Sequence, residues 1–107
     1  MLDYYKINDS ESTPEYRDED KYIASLSLDD FRHLDKIIAY SKEIDAELKP
    51  FEDHRLSSDK VEKLLLFCDD VLVANKKNIK VFNAYTKLKN ILKESYKSKS
   101  GIILFYE

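Results

Sequence analysis

Histidine 54 stands in the part of the chain best suited to metal or acid–base chemistry. It follows Glu52 and Asp53 and lies near Asp59, so a metal site or a proton-transfer pair could be built from these side chains. Zinc sites need three or four ligands at recognisable spacing, and neither CxxC nor HExxH occurs in the sequence. We therefore interpret the His54 segment as a surface loop with local charge pairing.

The single cysteine and the other histidine are poorly placed for catalysis. Cys68 falls on the apolar stripe of a predicted helix, and the adjacent Asp69 and Asp70 disfavour a thiolate. His33 lies off the apolar face of its helix, where a partly exposed side chain is expected. Gly101 is the only glycine in the sequence, so a glycine-rich phosphate loop is excluded. We predict a protein that is not an enzyme and that uses no metal ion or cofactor.

Charge is sorted along the chain. Residues 1–75 hold 19 acidic and 10 basic side chains, whereas residues 76–107 hold 8 lysines and only 2 acids. The net charge of −3 therefore combines an acidic body with a basic C-terminal segment. Such sorting bears on partners and on electrostatic steering rather than on the fold.

The acidic stretch between residues 9 and 20 is the strongest candidate for a binding surface. A tyrosine surrounded by carboxylates can contact a basic protein surface, and the alternative is a solvated loop without a partner. The predicted contact residues are Glu11, Glu15, Tyr16, Asp18, Glu19 and Asp20. A second predicted patch consists of Glu52, Asp53 and Arg55.

Lysines on the third predicted helix offer an alternative function, which is nucleic-acid association or regulatory binding. They lie opposite the apolar face of that helix, at Lys76, Lys80, Lys87, Lys93 and Lys97. Arginine is lacking there, and the acidic body would repel phosphate. A lysine-rich face is also the ordinary solvent side of an amphipathic helix, so we expect no nucleic acid as partner.

The elements that must position these residues are visible as periodic patterns. Residues 2–7 and 22–26 read as strands, and the apolar run 102–106 is typical of a central strand buried on both faces. A first helix starts at a Ser27 cap and keeps one apolar face as far as Leu48, before Pro50 stops it. A second helix is capped by Ser57 or Ser58, a third covers about residues 79–97, and Gly101 can then take positive φ.

The order β-β-α-α-α-β predicts an α+β fold in which three helices cover a small three-stranded sheet. Residues 1–107 are expected to form a single domain. A lone cysteine suits a reducing compartment, and neither a membrane span nor a signal peptide is recognised. We therefore expect a cytoplasmic protein that does not bind membranes and is a monomer or weak dimer when alone.

Three segments together resemble bacterial immunity proteins of contact-dependent growth inhibition and related polymorphic toxin systems. They are YIASLSLDDF (22–31), DHRLSSDKVEKLL (53–65) and SGIILFYE (100–107). The resemblance implies a cytoplasmic inhibitor that binds one cognate toxin domain. Such toxins are often nucleases, and the acids of the inhibitor would fill or block the basic cleft that receives phosphate.

Overall fold

The structure is a computed structural model, and it describes residues 1–14, 16–49 and 51–106. The described elements are β1 (Leu2–Ile7), β2 (Tyr22–Leu26), α1 (Leu28–Phe31), α2 (Asp35–Glu43), β3 (His54–Leu56), α3 (Ser58–Ala74), α4 (Ile79–Lys97) and β4 (Gly101–Tyr106). The expected α+β class is confirmed. None of these helices is long and apolar enough to cross a membrane.

Within the described residues the sheet has four strands rather than the expected three. Its order is β2-β1-β4-β3, and each neighbouring pair is antiparallel. The prediction that the last strand is central is confirmed, and this strand lies between β1 and β3. β3 was missed because three residues are too few to show alternation.

Both faces of the sheet carry a cluster of apolar residues, and one cluster is much larger than the other. One face contributes Leu2, Tyr4 and Leu104 to the main core beneath the helices. The opposite face, called here the outer face, holds a smaller cluster of Tyr5, Ile7, Ile103 and Phe105. An apolar cluster on the side without helices needs another cover.

The predicted first helix is two helices, and it ends earlier than expected. The capping box of Ser27 and Asp30 is present at the start of α1. α2 ends at Glu43, and Asp45 then takes a φ of 57°. Hydrogen bonds from Ala46 N to Ser41 O (2.8 Å) and from Asp45 N to Lys42 O complete a Schellman motif. Pro50, the expected stop, lies outside the described residues.

The end of α4 corrects the role expected of Gly101. Lys99, with a φ of 52°, is the left-handed residue of a second Schellman motif, and Gly101 does not adopt positive φ. Gly101 is needed for another reason, because a Cβ at this position would overlap the carbonyl oxygen of Leu56. The glycine therefore permits the close approach of β3 to β4.

The start of α3 is capped from a distance. Ser57 precedes the helix as predicted, but its side chain makes no capping hydrogen bond. Instead Asp9 accepts hydrogen bonds from Ser58 N, at 2.9 Å, and from Ser58 Oγ. A carboxylate at a helix N-terminus also suits the helix dipole. One acid of the predicted binding stretch is thus part of the fold.

Candidate functional site

The connection between β1 and β2, residues 8–21, is called the strap, and its described residues, 8–14 and 16–21, cross the outer face of the sheet. Its residues Glu11, Pro14 and Asp18 face the apolar cluster of that face across a small cavity. Glu15, a predicted contact residue, lies outside the described residues. The strap is the cover that the outer face needs.

Arg17 fastens the second half of the strap. Its Nη1 lies 2.6 Å from Asp3 Oδ2, and its guanidinium lies 5.2 Å from the ring centre of Phe105. Asp3 also accepts a hydrogen bond from Ser25 Oγ, which ties the same carboxylate to β2. Both charged side chains are largely covered, which strengthens a pair relative to one in open water. The sequence patterns did not single out Arg17, whose only signal was its position as the one arginine among the acids of the strap.

Arg55 fastens the first half of the strap from β3. Its Nη1 donates to Glu11 O at 2.9 Å and to Thr13 Oγ1 at 3.1 Å, and its Nη2 donates to Asn8 O at 3.3 Å. The structure therefore brings the two predicted patches into contact. Arg55 was predicted to meet a partner, and here its donors bind two backbone carbonyls and one side-chain hydroxyl of the strap.

The other residues of the second patch also make contacts within the chain. Glu52 pairs with Lys49 at 3.4 Å, and Asp53 accepts a hydrogen bond from Tyr106 N at 2.8 Å. His54 belongs to strand β3 and is half-buried, which corrects its assignment to a loop. Its Nδ1 bonds to Glu52 O at 3.0 Å, and its Nε2 accepts from Lys49 N at 3.5 Å. Burial holds the pKa of His54 below its ordinary value, against the opposing effect of the Glu52 carbonyl.

The exposed end of the strap forms the candidate binding surface, called the acidic tip. It consists of Tyr16, Asp18, Glu19 and Asp20, and the side chain of Tyr16 is 81% exposed. Asp18 Oδ1 accepts a hydrogen bond from Asp20 N at 3.1 Å and so caps a single 3₁₀ turn over Glu19–Lys21. The three acids are therefore held on an ordered turn. Glu11 is exposed as well, and its Oε1 accepts from Asn8 N at 3.3 Å.

The acidic tip has the chemistry of a protein contact. Its phenol and three carboxylates can pair with lysine or arginine on a partner, and carboxylates bind guanidinium groups with short, charge-assisted hydrogen bonds. Because Arg17 and the 3₁₀ turn already order the backbone, binding would cost less entropy than for a free loop. Nowhere in the described part of the chain do three or more metal-ligating side chains form a cluster.

The lysines of α4 pair with the acidic body. Lys87 lies 3.1 Å from Asp30, and Lys89 lies 2.6 Å from Asp69. Partial burial alone would raise the pKa of Asp30, but the bonds from Lys87 and Ser27 lower it. The lysine face is therefore partly neutralised in the fold, while Lys76, Lys80 and Lys93 remain exposed. These contacts give no specific support to the nucleic-acid alternative.

A groove of about 600 Å³ lies between β2, which is an edge strand of the sheet, and α4, and Lys6 of β1 and Lys21 also line it. One wall is formed by Tyr22–Ser25, and Asp20 places the groove next to the acidic tip. The opposite wall is formed by Lys87, Asn90, Ile91 and Glu94 of α4. Sequence reasoning missed this groove, because it depends on which strand lies at the edge of the sheet.

Comparisons of the chain with protein-family models, with curated proteins and with solved structures found no match. The resemblance to immunity proteins therefore stays a prediction.

Proposed function

We propose that this chain is an immunity protein, a non-catalytic inhibitor that binds and neutralises a cognate bacterial toxin domain in the cytoplasm. The observation that carries the proposal is the acidic tip, an exposed tyrosine and three carboxylates on an ordered turn. Nuclease toxins are the class that fits best, since their clefts are basic. The carboxylates of the tip would take the places of substrate phosphates.

The strap supports this proposal because some of its residues hold it to the fold while others are exposed to solvent. Arg17 and Asp9 make contacts within the fold, whereas Asp18, Glu19 and Asp20 are exposed. Exposed charges steer a partner of opposite sign during encounter and then pair with it. Tyr16 adds a large side chain that can enter a pocket at the centre of the contact.

The test is to determine whether the gene immediately upstream encodes a toxin domain and to co-express the chain with that domain. A bacterial host that expresses the toxin domain alone should stop growing, and the chain should restore growth by forming a stable complex with it. Failure to form a complex, or the lack of any toxin gene beside this one, would overturn the proposal.

Replacing the three acids Asp18, Glu19 and Asp20 with serine should slow association with the toxin domain by about tenfold or more at low salt. The rate should also lose most of its dependence on ionic strength. Folding stability should change little, because exposed charges contribute less than about 1 kcal/mol each. Stopped-flow binding and thermal denaturation measure the two effects.

A matched control replaces three exposed lysines of the opposite charge, Lys76, Lys80 and Lys93, with serine. This variant changes the net charge by the same amount and should leave protection intact. If the lysine variant loses protection and the acid variant keeps it, the toxin contact is on the lysine side and the assignment of the tip is wrong.

A further inference from the structure

We propose that the outer edge of β2 is a dimerisation edge. In the proposed dimer β2 pairs antiparallel with β2 of a second copy about a two-fold axis, so that one continuous sheet runs through both molecules. The α4 helices of the two copies then lie antiparallel beside this seam. The proposal does not depend on the identity of any toxin.

The edge of β2 has few of the features that keep sheet edges from pairing. Among the described residues, β2 bonds only to β1, so its other side presents free backbone donors and acceptors. Natural edge strands are usually protected by charged side chains, by proline or by being very short. β2 spans five residues, Tyr22–Leu26, and none of them is charged or a proline. A bulge near Ile23, which also hinders pairing at an edge, is the one protective feature found in this strand.

The other edge of the sheet provides a contrast within the same molecule. β3 has only three residues and includes His54 and Arg55. The guanidinium of Arg55 is directed to the strap. β2 is therefore the edge that remains suited to adding a strand.

The charges of α4 identify a second copy as the partner. Lys87, Asn90, Ile91 and Glu94 follow a spacing of three, four and seven residues, so they share one face of the helix and line the groove. A two-fold axis near Asn90 and Ile91 places Lys87 of each copy opposite Glu94 of the other. The pattern is complementary to itself, with two opposite-charge pairs across the axis.

One axis can serve both walls of the groove. A two-fold axis at Ala24, the middle residue of β2, exchanges Tyr22 with Leu26 and aligns the strands antiparallel. Tyr22–Ser25 line the same groove as the α4 residues Lys87, Asn90, Ile91 and Glu94, so the proposed dimer places the two centres of symmetry on one axis. The two grooves would then merge and be filled by side chains of both copies.

The charged residues of α4 remain available for such contacts. The side chains of Lys87 and Glu94 are 56% and 48% exposed, although Lys87 pairs with Asp30 and Glu94 pairs with both Lys6 and Lys97 within the chain. The ammonium group of Lys87 can donate a further hydrogen bond, and the carboxylate of Glu94 can accept one. Tyr16 and Glu19 do not line the groove, so the dimer leaves part of the acidic tip open.

Sedimentation velocity of the purified chain over a wide concentration range tests the proposal. The wild-type chain should show a reversible monomer–dimer equilibrium. Lys87→Glu places like charges opposite each other at both contacts, and so does Glu94→Lys. Each variant should raise the dimer Kd by about tenfold. Lys93→Glu changes the charge of the same helix outside the groove and should leave the Kd unchanged.

Mixing the two variants decides the matter. Lys87→Glu and Glu94→Lys chains complement each other at both contacts, so their mixture should form a heterodimer with near wild-type affinity, measured by native mass spectrometry. Loss of affinity without rescue in the mixture would overturn the proposal, because it would reflect only the broken pairs within each chain. A dimer unaffected by either variant would also overturn it. A chain that stays monomeric at every concentration would also overturn the proposal. The free edge of β2 would then be expected to pair with a strand of another protein.

Discussion

Tyr4 and Tyr85 place the same hydroxyl in two different buried surroundings. Tyr85 Oη accepts a hydrogen bond from Ile37 N at 3.1 Å, at the start of α2, where Leu34 supplies no side-chain cap. Tyr4 Oη has no partner among the described residues. The Tyr85 hydroxyl therefore satisfies a buried backbone N–H, whereas the Tyr4 hydroxyl loses its hydrogen bonds to water on burial and gains none in return.

We expect phenylalanine to have opposite effects at these two positions. Tyr85→Phe should lower the free energy of unfolding by about 1–3 kcal/mol because it leaves a buried N–H without a partner. Tyr4→Phe should raise it by about 1 kcal/mol. Urea denaturation measures both changes, and a loss of similar size in both variants would contradict the distinction.

Cys68 should matter for stability and not for reactivity. It is fully buried in the core, and burial together with Asp69 raises the pKa of its thiol to about 12 despite Lys89. Cys68→Ser should lower the free energy of unfolding by about 1–3 kcal/mol because it buries a hydroxyl. The native thiol should react with a thiol reagent only as fast as the protein unfolds. Rapid labelling of the folded protein would show that the site is open.

His54 should make stability depend on pH near neutrality. Its pKa lies below the ordinary value of 6.5, so the folded state binds this proton less readily than the unfolded chain. The resulting stability is present above about pH 6.5 and is lost as the pH falls through the folded pKa. Urea denaturation between about pH 5 and pH 8 should show this loss in the wild type and a flatter profile in His54→Asn. Equal slopes would contradict it.

At the scale of the elements, two helices end with a non-glycine residue in the left-handed backbone conformation, which costs backbone strain. Asp45 and Lys99 occupy the left-handed position that glycine usually fills. Asp45→Gly and Lys99→Gly should each raise the free energy of unfolding by about 1 kcal/mol, since glycine has no Cβ to clash there. Ser98→Gly, just before that position, should lower it. Thermal denaturation of the three variants checks the prediction.

The elements that the sequence predicted well are those whose signals are local. β1, β2 and α4 follow from alternation and from helical spacing within each segment, and their observed bounds agree with the expected ones. The early end of α2 could not be predicted, because its left-handed residue is an aspartate rather than a glycine. The cap of α3 could not be predicted either, because Asp9 lies 49 residues from Ser58.

At the scale of the whole molecule, the fold brings the sorted charge back together. Lys87 and Lys89 of the basic segment meet Asp30 and Asp69 of the acidic body. Composition could suggest an acidic candidate surface, but not which acids remain exposed. That selection depends on Arg17 and Arg55, whose partners lie in other elements, up to 47 residues away in the case of Arg55 and Asn8.

The central position of β4 has a consequence for how the molecule folds. Leu2 pairs with Tyr106, nearly the full length of the described chain away, and β3 has no strand partner other than β4. Before β4 joins, the sheet can be no more than the β1–β2 hairpin, and isolated hairpins are marginally stable. Closing so long a loop costs entropy before the contacts repay it, so the sheet should form late and in one step. Until then the strands are open to aggregation, which makes the last strand the one that completes and protects the fold.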